Sequence, residues 1–147
     1  GGIYTSTGTA VGANQILASQ TWIQITGTFK TYMLNSGAEI NCDWQKDRIV
    51  VNEIGTYLCQ YGISLLNRGD AVTIDMMAYT STVPQRMTRS QIAFGASGTV
   101  DGSKMLMGVG AIPVVASGTA VTLWAYASAA TTIQVAAGQL FVQRQVG

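Results

Sequence analysis

The sequence predicts an all-β domain of the sandwich or barrel kind. Three observations carry this reading. Short segments alternating apolar and polar residues recur along the chain, turns rich in Gly, Ser, Asn and Pro separate them, and no segment holds a helical period. The 147 residues suit a single domain of ordinary size.

Residues 1–20 are dominated by small and flexible types and sustain neither period. They read as an extended N-terminal arm ordered by what it touches. Its apolar anchors are Ile3, Tyr4, Ile16 and Leu17. Residues 21–147 read as the folded domain. In 22–29, Trp22, Gln24, Thr26 and Thr28 share one face and Ile23, Ile25, Gly27 and Phe29 the other. Segments 39–44 and 48–51 follow, joined by the polar turn Gln45-Lys46-Asp47. The clearest strand opens at Gly55, with Tyr57, Cys59, Tyr61, Ile63 and Leu65 on one face. Its other face carries Leu58, Gln60, Gly62 and Ser64. After Asn67-Arg68-Gly69-Asp70, Val72, Ile74, Met76 and Ala78 alternate with Thr73, Asp75, Met77 and Tyr79. Pro84 marks a break, and 91–94 is a short strand. Segment 104–115 places Met105, Met107, Val109 and Ala111 on one face, with Pro113 indicating an edge. In 120–127, Val121, Leu123 and Ala125 oppose Thr122, Trp124 and Tyr126, and 132–144 is the last strand.

Composition narrows the function. Apolar residues are 48% and charged residues 10%, against about 25% charged in typical domains. The polar surface is therefore built from Thr, Ser, Gln and Asn. Such a surface is poorly defended against association, which implies that a partner covers part of it. The net charge of +1, with no Lys or Arg run, excludes an electrostatic duplex-binding patch. Arg86 and Arg89 read as a solvated strand face. No apolar run reaches the ~18 residues of a membrane span. Cys59 reads as a buried free thiol, with a bridge to Cys42 as the alternative.

Three short motifs resemble a known architecture. Gly55-Thr56-Tyr57-Leu58 resembles the Gly-x-Tyr start of a long inner strand. Residues 114–123, with their central Ser117-Gly118-Thr119 turn, resemble a strand pair joined at a Gly-Asp turn. Gly138-Gln139-Leu140 resembles a Gly-x-Leu in the final strand. Together, over 22–145, they resemble the trimeric jelly roll of complement globular heads and tumour necrosis factor ligands. Thr119 stands where that family has Asp, and Ala137 where an aromatic often precedes the Gly. The resemblance implies a jelly-roll β-sandwich of about 8–10 antiparallel strands that assembles as a homotrimer. On the alternation above, the core takes Tyr57, Cys59, Tyr61 and Ile63, and Leu58, Gln60, Leu140 and Val142 would then face the threefold axis that the resemblance implies. Met105 and Met107 form a second candidate interface patch, or else fill core gaps.

Catalysis has little to work with. There is no histidine, which removes the commonest general base and metal ligand together. Two isolated cysteines do not make a zinc site. Asp43 and Asp47 bracket Trp44 but flank a turn, where carboxylates are usually solvated rather than paired for glycoside chemistry. Asn67 and Asp70 fit turn chemistry better than calcium. Arg68-Gly69-Asp70 spells an adhesion tripeptide that a tight polar turn explains equally. No phosphate-binding glycine loop, cofactor motif or metal motif is present.

The expectation is a non-enzymatic virion protein of a bacteriophage, a trimeric capsid decoration (cement) protein on the capsid exterior. Its partners would be itself and the major capsid protein or another virion protein, with neither nucleic acid nor membrane. Its arm (Ile3, Tyr4, Ile16, Leu17) would lie on the shell, and binding only the assembled shell would stabilise it. The alternative is the receptor-binding head of a tail or head fibre, with Trp44, Tyr79 and Trp124 as candidates to stack on sugars. A secreted cytokine-like or complement-like domain is a third class. It calls for a signal sequence, and the first residues do not show one.

Overall fold

The computed structural model describes residues 1–4, 14–27, 29, 31–33, 39–67, 70–95 and 104–145 of the chain. Its strands are β1 (Gly2–Tyr4), β2 (Asn14–Leu17), β3 (Trp22–Gln24), β4 (Thr31–Met33), β5 (Ile40–Asp43), β6 (Arg48–Val51) and β7 (Gly55–Asn67). These are followed by β8 (Val72–Thr80), β9 (Val83–Pro84), β10 (Ser90–Phe94), β11 (Lys104–Val114), β12 (Thr119–Ala127) and β13 (Thr131–Arg144). The first sheet runs β11-β7-β13-β1-β4, with β2 also on β13. The second runs β10-β8-β12-β6-β5, with β3 also on β12 and β9 on β8. Every strand pair is antiparallel. This is the all-β jelly-roll sandwich that the alternation and the resemblance predict.

The core lies between the two inner faces. β7 supplies Tyr57, Cys59, Tyr61, Ile63 and Leu65, all buried, as its period requires. β8 and β12 supply Val72, Ile74, Met76, Ala78, Val121, Leu123 and Ala125 from the opposite sheet. The expected strands from β5 to β8 and from β10 to β13 are present. Additional to them are β1, β2, β4 and β9, each of four residues or fewer, too short to show a period.

Two expectations change. Leu140 and Val142 are not on the outer face; both are fully buried. The reason is a register shift in β13 between Val135 and Ala137, opposite Leu65 and Ser64 of β7. Before it, odd-numbered Ile133 and Val135 point inward; after it, even-numbered Leu140 and Val142 do. One extra residue in a strand moves every later side chain to the other face. Leu140 and Val142 then stand beside Tyr61 and Cys59, and side-by-side residues share a face.

The second change concerns the arm. Ile3 pairs with Leu140 of β13, so it shares the inward face of that residue and is fully buried; its backbone also pairs with β4. Leu17, opposite Thr131, is buried as well. Residues 2–4 and 14–17 are thus strands of the first sheet, because their backbone groups complete the β13 ladder. Ile16 is 78% exposed. The side chain of Tyr4 and residues 5–13 lie outside the described residues.

A 3₁₀ turn at Arg86–Thr88 closes one edge of the sandwich. Thr88 accepts the Ala78 amide on Oγ1 at 2.8 Å, and its hydroxyl donates to the Gln85 carbonyl at 2.7 Å. The Tyr61 hydroxyl reaches across from the first sheet. It lies 2.7 Å from the Thr88 carbonyl, 3.0 Å from the Met76 carbonyl and 2.7 Å from Ser90 Oγ. Gly108 makes room for this. A Cβ there would sit 2.3 Å from the Thr88 carbonyl oxygen and 2.4 Å from the Tyr61 ring.

Gly108→Ala is therefore expected to lower stability by more than the ~1–3 kcal/mol of ordinary overpacking, because backbone as well as ring must move. Gly95→Ala, with nothing within 4 Å of the added carbon, is the matched control, and urea unfolding of both variants is the measurement. A pH dependence follows from the same core. Burial pushes the Cys59 thiol from 9.0 up to about 12. It pushes the Tyr61 phenol from 10.0 up to about 12, outweighing the Ser90 hydrogen bond, which acts the other way. The native state keeps both protons at a pH where the unfolded chain releases them. Their contribution is complete below pH 9 and is lost as pH rises towards about 12, by about 1.4 kcal/mol per pH unit for each group. Urea midpoints across that range should fall accordingly, and Cys59→Ala should make the fall shallower.

Candidate binding faces

The outer face of the first sheet forms in rows across three strands. Register places Val109, Gln60 and Phe141 abreast, then Met107, Gly62 and Gln139, then Met105 and Ala137 either side of Ser64. Ala111, Leu58 and Gln143 form a further row. No residue in these rows is charged. Met105, Met107 and Val109 are 57%, 65% and 58% exposed. Four sequence-predicted interface residues, Leu58, Gln60, Met105 and Met107, come together here; Leu140 and Val142 face the core behind them. Phe141 joins the patch in their place. Strict alternation along β13 hides it, because the bulge inverts the parity.

The outer face of the second sheet is aromatic. Tyr79 leaves β8, Trp124 and Tyr126 leave β12, and Trp22 leaves β3, each half-buried. Tyr79 and Trp124 stack with centroids 4.7 Å apart and planes at 24°. Trp22 tilts against Tyr126 at 5.3 Å and against Tyr79 at 6.2 Å. Beneath them Met77 and Thr122 are covered, and the Trp124 indole donates to Thr122 Oγ1 at 2.9 Å. Two of the sugar-stacking candidates, Tyr79 and Trp124, therefore meet, while Trp44 packs against the core elsewhere. Sequence alternation puts Tyr126 beside Trp124. The inclusion of Trp22 depends on the β3–β12 pairing.

At the margin of this face, Asp75 is buried. The Arg89 guanidinium forms an ion pair with it, with Nε at 3.1 Å, and Gln91 donates to its other oxygen at 2.8 Å. Arg89 is thus a counter-ion, not half of a solvated basic pair with Arg86.

The remaining chemical candidates have structural partners. Asp43 pairs with Arg48 at 3.1 Å. Asp47, expected in solvent, is buried and accepts the backbone N–H groups of Gly27 at 2.8 Å and Phe29 at 3.2 Å. The Asn67 amide oxygen accepts the Asp70 N–H, and Thr131 bridges the same two side chains, which is turn chemistry. Arg68 and Gly69 lie outside the described residues. Cys42 and Cys59 are both buried and are not joined in a disulfide, and burial raises both thiols, which disfavours the reactive thiolate. Among the described residues no cluster of His, Cys, Asp or Glu could hold a metal ion.

No protein-family model matches the sequence, and no curated protein matches it. Solved structures do. The structure of Eiger TNF from S. frugiperda superposes with a TM-score of 0.64 at 8% identity, covering 99% of this chain and 92% of that one. The globular domain of zebrafish complement 1qA gives 0.53 at 11% identity, covering 98% and 96%. Murine APRIL at pH 8.5 gives 0.52 at 12% identity, covering 97% of each chain. At these identities the likeness is one of fold.

Arg89→Ala leaves the buried Asp75 carboxylate with Gln91 alone. It is expected to cost about 1–3 kcal/mol, read as a lower urea midpoint. Arg86→Ala, at an exposed position, should stay within about 0.5 kcal/mol.

Proposed function

We propose that this chain is a non-enzymatic binding domain that works as a homotrimer, with the outer face of β11, β7 and β13 as its self-association surface. The observation that carries this is the uncharged patch of Met105, Met107, Val109, Leu58, Gln60 and Phe141. Single exposed apolar residues are ordinary on a monomer. A contiguous apolar patch without charge has the composition of an interface core. The trimer is what the jelly-roll resemblance implies.

The finer placement we propose is a capsid decoration protein on a phage shell, bound through the trimer to the major capsid protein. The neutral, Thr- and Gln-rich surface and the fit of a trimer to local threefold positions support it. The contact role of the arm passes to Ile16, since Ile3 and Leu17 are committed to the core. The receptor-binding fibre head and the secreted ligand domain remain alternative placements of the same module, and the fold neighbours suit the latter equally. Co-sedimentation of the purified chain with assembled capsids tests the capsid placement; a chain that stays in the supernatant speaks against it.

Light scattering at micromolar concentration should return three times the 15.5 kDa chain mass. Met107→Asp and Val109→Asp should each give folded monomers, because three like charges brought together around an axis cost on the order of a few kcal/mol. Val142→Asp should instead unfold the chain, since the carboxylate would be buried beside Cys59 without a partner. A monomeric wild type would overturn the assignment.

A further inference from the structure

We propose that the aromatic face of the second sheet is a binding ledge for a neutral carbohydrate chain. Trp22, Tyr79, Trp124 and Tyr126 point away from the core, and their ring contacts run in an unbroken series from Tyr126 through Trp22 and Tyr79 to Trp124. Scattered aromatics on a surface need no account, but four linked ring to ring on one outer face do. A pyranose ring presents C–H bonds on its faces and hydroxyls around its rim. An aromatic face carries partial negative charge that attracts those C–H bonds.

The polar groups around the rings fit the rim. The hydroxyls of Tyr79 and Tyr126 and the indole N–H of Trp22 make no hydrogen bond among the described residues. Gln24 lies beside Trp124 and Gln91 lies beyond Asp75. These are neutral donors and acceptors with room for a hydroxyl-rich ligand. Among the described residues the charges on this face are cancelled in pairs, Arg89 with Asp75 and Arg48 with Asp43. These pairs offer little net field to draw an acidic glycan, a nucleic acid or a charged peptide. The face belongs to the opposite sheet from the proposed trimer patch, so each subunit would carry one ledge whether or not it assembles.

The test uses the whole chain. Neutral oligosaccharides (cello-, chito-, malto- and mannohexaose, then a broad array of immobilised neutral glycans) are titrated by tryptophan fluorescence and calorimetry. The expected result is saturable, salt-insensitive binding of at least one neutral series, one site per subunit. Trp22→Ala, on the short β3, should weaken it tenfold or more without altering the circular dichroism spectrum. Tyr126→Phe keeps the ring and should weaken it less. Met107→Asp should bind with unchanged affinity per subunit, which separates failure of the ledge from failure of the trimer. Absence of binding to every neutral glycan overturns the proposal. So does binding confined to charged glycans, binding indifferent to Trp22→Ala, or occupation of the face by a protein partner or a second copy.

Discussion

The extra residue in β13 between Val135 and Ala137 governs what each face of the first sheet presents. β13 lies at the centre of that sheet, between β7 and β1, so its parity is read by both neighbours. With the bulge, Ile133 and Val135 fill one end of the core and Leu140 and Val142 fill the other. Without it, Gln139, Phe141 and Gln143 would turn inward and two branched aliphatic side chains would turn out. Burying an unpartnered glutamine amide costs about 1–3 kcal/mol by protein mutational data, and two would turn inward, so the observed register is favoured. Gly138 beside the bulge is part of the device. A Cβ there would sit 2.6 Å from Ile63 Cδ1.

The same parity fixes β1. Ile3 faces inward because Leu140 does, and the ladder from Gly2 to Tyr4 is thereby committed to the sandwich. The Gln15 side chain does similar work nearby: its amide donates to the Thr26 carbonyl at 2.7 Å and accepts the Thr26 N–H at 3.2 Å. It thereby ties the segment of β2 to the segment that follows β3. Across the sandwich the Tyr61 hydroxyl ties β7 to β8 and to the turn before β10. Gly108 leaves the space that this phenol needs, so the position combines a missing side chain on one strand with a large one on its neighbour.

Legibility followed length of period. β7, β8, β11 and β12 have nine or more residues each, and their alternation assigned both faces correctly. The core of Tyr57, Cys59, Tyr61 and Ile63 was legible for that reason, and so was the common face of Met105, Met107 and Val109. The bulge was not, because Val135-Ala136-Ala137-Gly138 offers small side chains that carry no phase. Strict alternation consequently puts Leu140 and Val142 on the outer face and hides Phe141, the reverse of their observed placement. β1 and β2 are too short for a pattern, and their pairing is decided by ladder partners more than a hundred residues away. Turn acids are usually wet, which predicts a solvated Asp47; here the backbone amides of Gly27 and Phe29 replace water. Trp22 joined its aromatic neighbours only through tertiary pairing.

The scarcity of charge takes on a meaning once the partners are known. Of the described ionic groups, Arg48 and Asp43 hold each other, Arg89 neutralises Asp75, and Arg144 lies between Glu39 and Glu53. Asp47 and Asp70 are engaged by backbone and hydroxyl groups, and Lys104 donates to the Ala93 carbonyl while lying over Phe94. Lys46 and Arg86 are exposed, but the other charges among the described residues are spent within the fold, at strand ends and sheet margins, and few of them are left to repel a neighbour. Both broad outer faces are therefore neutral, one aliphatic and methionine-rich, the other aromatic and ringed by amides and hydroxyls. Association through either must draw on apolar burial and directional hydrogen bonds rather than on long-range attraction, and such contacts are weakly screened by salt. The two faces differ in what they can cover. Flexible methionines adapt to a flat protein partner, whereas a fixed series of rings bordered by open hydroxyls suits a ligand that is apolar on its faces and hydroxyl-rich at its rim.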